Sequence, residues 1–342
     1  VGHDALTANT TGAGNTAVGA IALDAITTSS NNTAVGHEAL TNASTGAGNT
    51  SLGKGSMTAV VTGSNNVAVG YTALAANTTA SNNVAVGHNA LVVNTTGATN
   101  TAVGQAALKA NTTASDNTAV GHSAMEANTT GTNNVAIGKN CLYTNVTHSD
   151  NTAIGHDALA VNVADDNTAV GSQALDANTT GNGLVGIGRN ALTANTTASE
   201  NTAVGGNALA ANTTGSNNTA VGYAALDAVT TGSYNTGFGR HAISSCITGD
   251  ANVAMGYAAL NLATDNNNTA VGNVAGADIT TGGNNLCLGK NAGRSTSPSG
   301  AITTGSNSIV LGDENIGALY CVQSSINTSD VRDKINVNDF KG

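Results

Sequence analysis

The chain has 342 residues, a net charge of −10, 43 Gly, one Pro, no Trp, and only 9% charged and 2% aromatic residues against 40% apolar ones. The apolar share is mostly Ala and Val, a palette that suits a thin, repetitive core rather than a globular one, and its regular spacing argues against disorder. Only ten Lys and Arg are present, three of them in the last eleven residues, and no run of 18 apolar residues exists, so nucleic acid and membrane insertion drop out as partners.

From the first residues onward an apolar-Gly pair recurs, at Gly2, Gly19, Gly36, Gly53, Gly70, Gly87, Gly104, Gly121, Gly138 and Gly155, always 17 residues apart. The series runs on through Gly171, Gly188, Gly205, Gly222, Gly239, Gly256, Gly272 and Gly289 with two intervals of 16, then takes a 23-residue step to Gly312 that contains Pro298. Val1 and Gly2 already belong to a repeat, so residues are expected to precede them in the gene product.

With the Gly as position zero, the unit reads N-T-A-V-G-x-x-A-L-x-x-N-T-T-G-x-N, as in Asn218-Thr219-Ala220-Val221-Gly222 followed by Ala225-Leu226. Position −1 is large and apolar in every copy, position −2 small, position −3 mostly Thr or Val. This β-branched run ending at Gly predicts a strand; Ala-Leu at +3 and +4 predicts a second short strand; Asn-Thr-Thr-Gly predicts a turn. A unit so small cannot bury its own apolar face, so successive coils stack into a parallel β-solenoid of about 18 coils, a rod on the order of 85 Å long at roughly 4.8 Å per coil. Asn at −4, in 16 of 18 complete copies, predicts a ladder of amides bonding from coil to coil.

Alternation along a strand puts −3 and −1 on one face and −2 on the other. The expectation is that Val at −1 fills the coil with Leu at +4, and that the Ala column at −2 faces outward as a packing surface for identical rods. The repeat shaft is expected to span 1–294.

Asn-Val-Ala-Val-Gly at 66–70 and 83–87 and Asn-Val-Ala-Ile-Gly at 134–138 resemble the head repeats of trimeric autotransporter adhesins. The resemblance implies a left-handed β-roll and a parallel homotrimer, although those heads run at a shorter period and no adhesin neck or stalk is recognisable here. Ser308 to Asp313 and Ala318 to Val322 resemble the strand-rich closing segment of phage tail fibres, which implies an irregular closing β segment over 295–328, and Ser329-Asp330-Val331-Arg332-Asp333-Lys334 resembles the start of the endosialidase-type intramolecular chaperone, which implies that 329–342 opens that domain, truncated here. That resemblance implies a trimerising domain that cuts itself off, with Ser329 as nucleophile and Lys334 as base; the alternative is an inert polar tail. Enzymatic activity beyond such self-cleavage is not expected, and no cofactor is.

Position +1 collects five of the seven His, three of the six Tyr and five cations, Lys54, Lys139, Arg189, Arg240 and Lys290. Successive His are too widely spaced to share a metal ion within one chain, so no metal site is expected. The column reads as a glycan- or receptor-binding surface, with His37, His88, His122, Tyr71, Tyr223 and Tyr257 as its binding residues, or as solvated decoration. The four Cys suit no disulfide framework and are expected to be free thiols. Asn-x-Thr triplets such as Asn9-Thr10-Thr11 match glycosylation sequons, but they recur because the turn recurs.

Together these readings give a structural and host-recognition fibre of a tailed phage, located in the virion tail, made in the bacterial cytoplasm, and partnered by itself, other tail proteins and a host surface receptor. A trimeric bacterial surface adhesin is the alternative. An ice-binding solenoid is more remote, because its Thr pairs are adjacent and fall in turns.

Overall fold

The computed structural model describes residues 1–297 and 300–315; the expected strand at 318–322, the Ser329 and Lys334 pair, and the tail lie outside the described residues. Among the described residues, eighteen three-residue strands, from β1 at Thr16–Val18 to β18 at Ile309–Leu311, form one all-parallel sheet in which each strand pairs with the next in sequence. There are no helices among the described residues. The register is one repeat per coil: Val69 lies beside Val86 and Val86 beside Val103. It is kept through the 16-residue intervals, where Val170 still pairs with Ile154, and across the 23-residue step, where Leu311 pairs with Leu288. The first part of the closing segment therefore adds one more rung to the same sheet.

The face assignment is the reverse of the expectation. In most strands the middle residue, at −2, is buried, while −3 and −1 are half-buried or exposed. Ala34, Ala68, Ala119 and Ala220 are fully buried, whereas Val18, Leu52, Ile137, Phe238 and Met255 at −1 are 40–46% exposed. The reason is width. Leu or Met at +4, fully buried in Leu40, Met57, Leu74 and Leu159, already fills most of the coil and leaves room opposite it for a small side chain, Ala in most coils. Gly237 shows the limit, since a Cβ there would stand 2.7 Å from Leu226 Cδ1, and at Gly186 one would stand 3.1 Å from Leu175 Cγ. The Ala column is thus core and offers no surface to another rod. Leu at +4 is interior as expected, and Val at −1 is not.

The outward rows also correct the expected direction of the −3 residue. Thr at −3 stands on the outer face of the sheet, as Thr33, Thr101 and Thr219 do, rather than facing the coil interior with −1. Its row-mate at −1 is large and apolar, so the outward ladder reads Thr-x-Val instead of Thr-x-Thr.

Ala-Leu at +3 and +4 forms no second strand. Residues at +2 and +4 take left-handed backbone angles, for example Thr72 at φ 51° and Leu74 at φ 53°. For Leu this conformation costs roughly 1–2 kcal/mol. Backbone hydrogen bonds in both axial directions hold it: Thr72 N–H donates to Lys54 O in the preceding coil (3.1 Å) and Leu74 N–H to Ala90 O in the following coil (2.9 Å). The closing Gly is required by the same stacking. Gly104 has φ 140°, and a Cβ on it would lie 2.3 Å from Gly121 O.

The Asn ladder forms as expected. Asn49, Asn66, Asn83, Asn100 and Asn117 are fully buried, and the backbone N–H of each donates to the side-chain oxygen of the Asn one coil before, at 2.9–3.0 Å. A second buried Asn column at +7 joins it, because Asn66 Nδ2 and Asn77 Nδ2 both donate to Ala80 O at 2.9 and 3.0 Å. Leu184 interrupts the first column: its backbone N–H donates to Asn167 Oδ1, but its side chain offers no acceptor to the next coil. Cys141, Cys246 and Cys287 are buried free thiols, and burial pushes Cys287 up to about 11.

Candidate functional site

Residue +1 stands one position beyond the Gly that ends each strand, and its carbonyl accepts the +2 N–H of the next coil. Asn207 N–H donates to Arg189 O (2.9 Å), His241 N–H to Tyr223 O (3.1 Å) and Ala258 N–H to Arg240 O (2.9 Å). These bonds hold successive +1 side chains in one file, so residues 17 apart in sequence become neighbours.

The file is solvent-facing. Tyr71, Tyr223 and Tyr257 are 51%, 52% and 47% exposed, and His37, His88 and His122 are exposed as well. The structure brings some of the sequence-predicted residues together and leaves others apart. Tyr71 and His88 sit on adjacent coils with ring centroids 5.5 Å apart. Tyr223 and Tyr257, two coils apart, are bridged by Arg240, whose guanidinium carbon is 5.8 Å from the Tyr223 ring centre and 6.0 Å from that of Tyr257. His37 instead turns its Nδ1 to Glu38, 3.4 Å away, and His122 stands near Glu126.

Sequence reasoning placed Arg240 in the column but not among the binding residues. The signal was available, because Arg240 occupies +1 in the coil between the two Tyr. His241, edge-on to Tyr223 with centroids 5.8 Å apart, belongs to the neighbouring +2 column and was missed altogether.

The cations divide cleanly. Lys109 and Arg294, outside the file, bond to carboxylates one coil away: Lys109 Nζ to Glu126 at 3.1 Å and Arg294 Nε to Asp278 at 3.2 Å. Lys54, Lys139, Arg189, Arg240 and Lys290, all in the file, form no ion pair among the described residues. Also among the described residues, no three His, Cys, Asp or Glu are grouped so as to hold a metal ion, and no helix is long and apolar enough to cross a membrane.

Comparison of the chain with protein-family models, with curated proteins and with solved structures finds no match.

Proposed function

We propose that the protein is the shaft of a homotrimeric, host-adhesive fibre of a tailed bacteriophage. The observation that carries the reading is the outward −1 row, a file of Val, Ile, Leu, Phe and Met running the length of the sheet, with Val18, Leu52, Ile187, Phe238, Met255 and Leu288 each 36–46% exposed. At roughly 4.8 Å per strand the row is on the order of 80 Å long. Continuous apolar surface on that scale marks an interface between chains, and identical rods bury it by packing about a common axis. The face that associates is therefore the Thr-x-Val face of the sheet, not the Ala face.

The number three and the phage setting come from the resemblance of the repeats to trimeric adhesin heads and of Ser329 to Lys334 to a trimerising chaperone. The same repeat motif supports the second reading, a bacterial surface adhesin. A gene that encodes a chaperone fold after Gly342 favours the fibre; one that encodes a membrane-anchor barrel favours the adhesin.

Light scattering on the purified chain tests the association. The expected mass is that of three chains, and Val120→Lys combined with Ile137→Lys is expected to yield monomers with unchanged β-sheet circular dichroism. A wild-type monomer at micromolar concentration overturns the reading.

A further inference from the structure

The stretch of the +1 file from Arg189 to Lys290 differs from the rest of the molecule. It contains Arg189, Gly206, Tyr223, Arg240, Tyr257, Asn273 and Lys290, with no carboxylate, and the flanking +2 positions in the same coils hold Asn190, Asn207, Ala224, His241, Ala258, Val274 and Asn291, again with none. Towards the N-terminus, by contrast, His3, His37 and His156 each face an acidic +2 neighbour, Asp4, Glu38 and Asp157.

Within this stretch the cations recur at every third coil, a spacing of roughly 14 Å at the strand separation. That exceeds the Debye length of about 8 Å at physiological ionic strength, so they do not repel one another strongly; Lys290, at the end of the strip, also feels the Asp313 carboxylate of the next coil. Between them lie two exposed aromatic rings. Gly206 leaves the approach to Tyr223 open on one side, since even a Cβ there would come no closer than 3.5 Å to the ring. Asn190 Nδ2 donates to Asn207 Oδ1 at 3.2 Å, lining one flank with amides. Apolar ring faces, amides and unpaired cations at wide spacing together match a polymer of sugar rings that carries a negative charge at intervals. Ring faces take the C–H surface of a pyranose, amides its hydroxyls, and guanidinium groups its carboxylates in bidentate fashion.

We infer that residues Arg189 to Lys290 of the +1 file form a docking strip for a carboxylate-bearing polysaccharide lying along the rod axis. The inference rests on the host-adhesive reading and names the chemistry of its receptor.

Calorimetric titration of the full chain with hexuronate oligosaccharides of about six units tests it, with the methyl-esterified oligosaccharide and polyglutamate of equal charge as comparison probes. The expected result is salt-sensitive binding of the hexuronate alone. Affinity falls at least tenfold in Arg240→Gln and in Tyr257→Ala, and is unchanged in Lys54→Gln, whose cation lies outside the strip. Circular dichroism of each variant is expected to match the parent, because all three side chains are exposed. Absence of hexuronate binding, equal binding of polyglutamate, or equal losses in Arg240→Gln and Lys54→Gln would each overturn the inference. Light scattering on the same samples keeps the two proposals apart: trimers that bind no hexuronate overturn this one alone.

Discussion

At the scale of single residues, the coil interior is one Leu and one or two methyl groups wide, so identity at each position follows from which side of a thin wall it occupies. Leu159 is fully buried and Val120 is not. Leu159→Asp places an unpaired carboxylate in that interior, at a cost of several kcal/mol, and is expected to lower the melting temperature markedly. Val120→Asp is expected to leave intercoil pairing intact and to weaken association instead. Melting followed by circular dichroism in parallel with light scattering separates the two effects. Asp227 gives a pH prediction. Burial pushes its carboxyl above the ordinary range, and its Oδ1 is buried without a hydrogen-bond partner. A raised folded-state value means a stabilising contribution that is present below the unfolded-state pKa and is lost as pH rises through the folded-state one. At neutral pH the ionised group therefore opposes folding, and Asp227→Asn is expected to raise the neutral-pH melting temperature while having little effect at acid pH.

At the scale of the repeating element, three-residue strands are too short to define a fold by themselves, and much of each coil is held by turns bonded to the turns above and below. The buried Asn columns supply the polar part of that bonding. Asn100 accepts from the Asn117 N–H (3.0 Å) and donates to Ala114 O (2.8 Å), and Asn111 donates to the same Ala114 O (3.0 Å). Asn100→Ala orphans the Asn117 N–H, a loss of roughly 1–3 kcal/mol. Asn111→Ala alone leaves Ala114 O with one donor. The double variant removes both donors from a buried carbonyl, so its loss is expected to exceed the sum of the singles in a double-mutant cycle by chemical denaturation. An additive result would mean that the two columns stabilise the coil independently.

At the scale of the whole molecule, each coil touches only its neighbours, so stability propagates along one dimension and slips by one coil between parallel chains are nearly isoenergetic. In the proposed fibre a terminal element that aligns the chains resolves this ambiguity before the shaft assembles. Truncation of the gene product after Asn327 is expected to lower the yield of trimers and to increase higher aggregates, as measured by light scattering. Trimers at unchanged yield would remove the aligning role and leave the outward apolar row as sufficient by itself.

The sequence alone determined the coil length, the parallel one-repeat register that pairs Val69, Val86 and Val103, and the coil-to-coil Asn ladder, because each follows from a period that any stacking must respect. It also showed that the +1 residues share a file, but not that Arg240 would lie between two Tyr rings within reach of both. Which strand face turns inward was decided only by the tertiary structure. Both faces are apolar in sequence, and a rule that puts the larger residue inside selects Val. The closed coil, already filled by Leu at +4 in most repeats, takes a small residue opposite it, Ala in most coils, and Leu itself is held in a left-handed conformation that its own preferences oppose. Space inside the coil and the hydrogen bonds of neighbouring coils are properties of the stack, and no single repeat carries them.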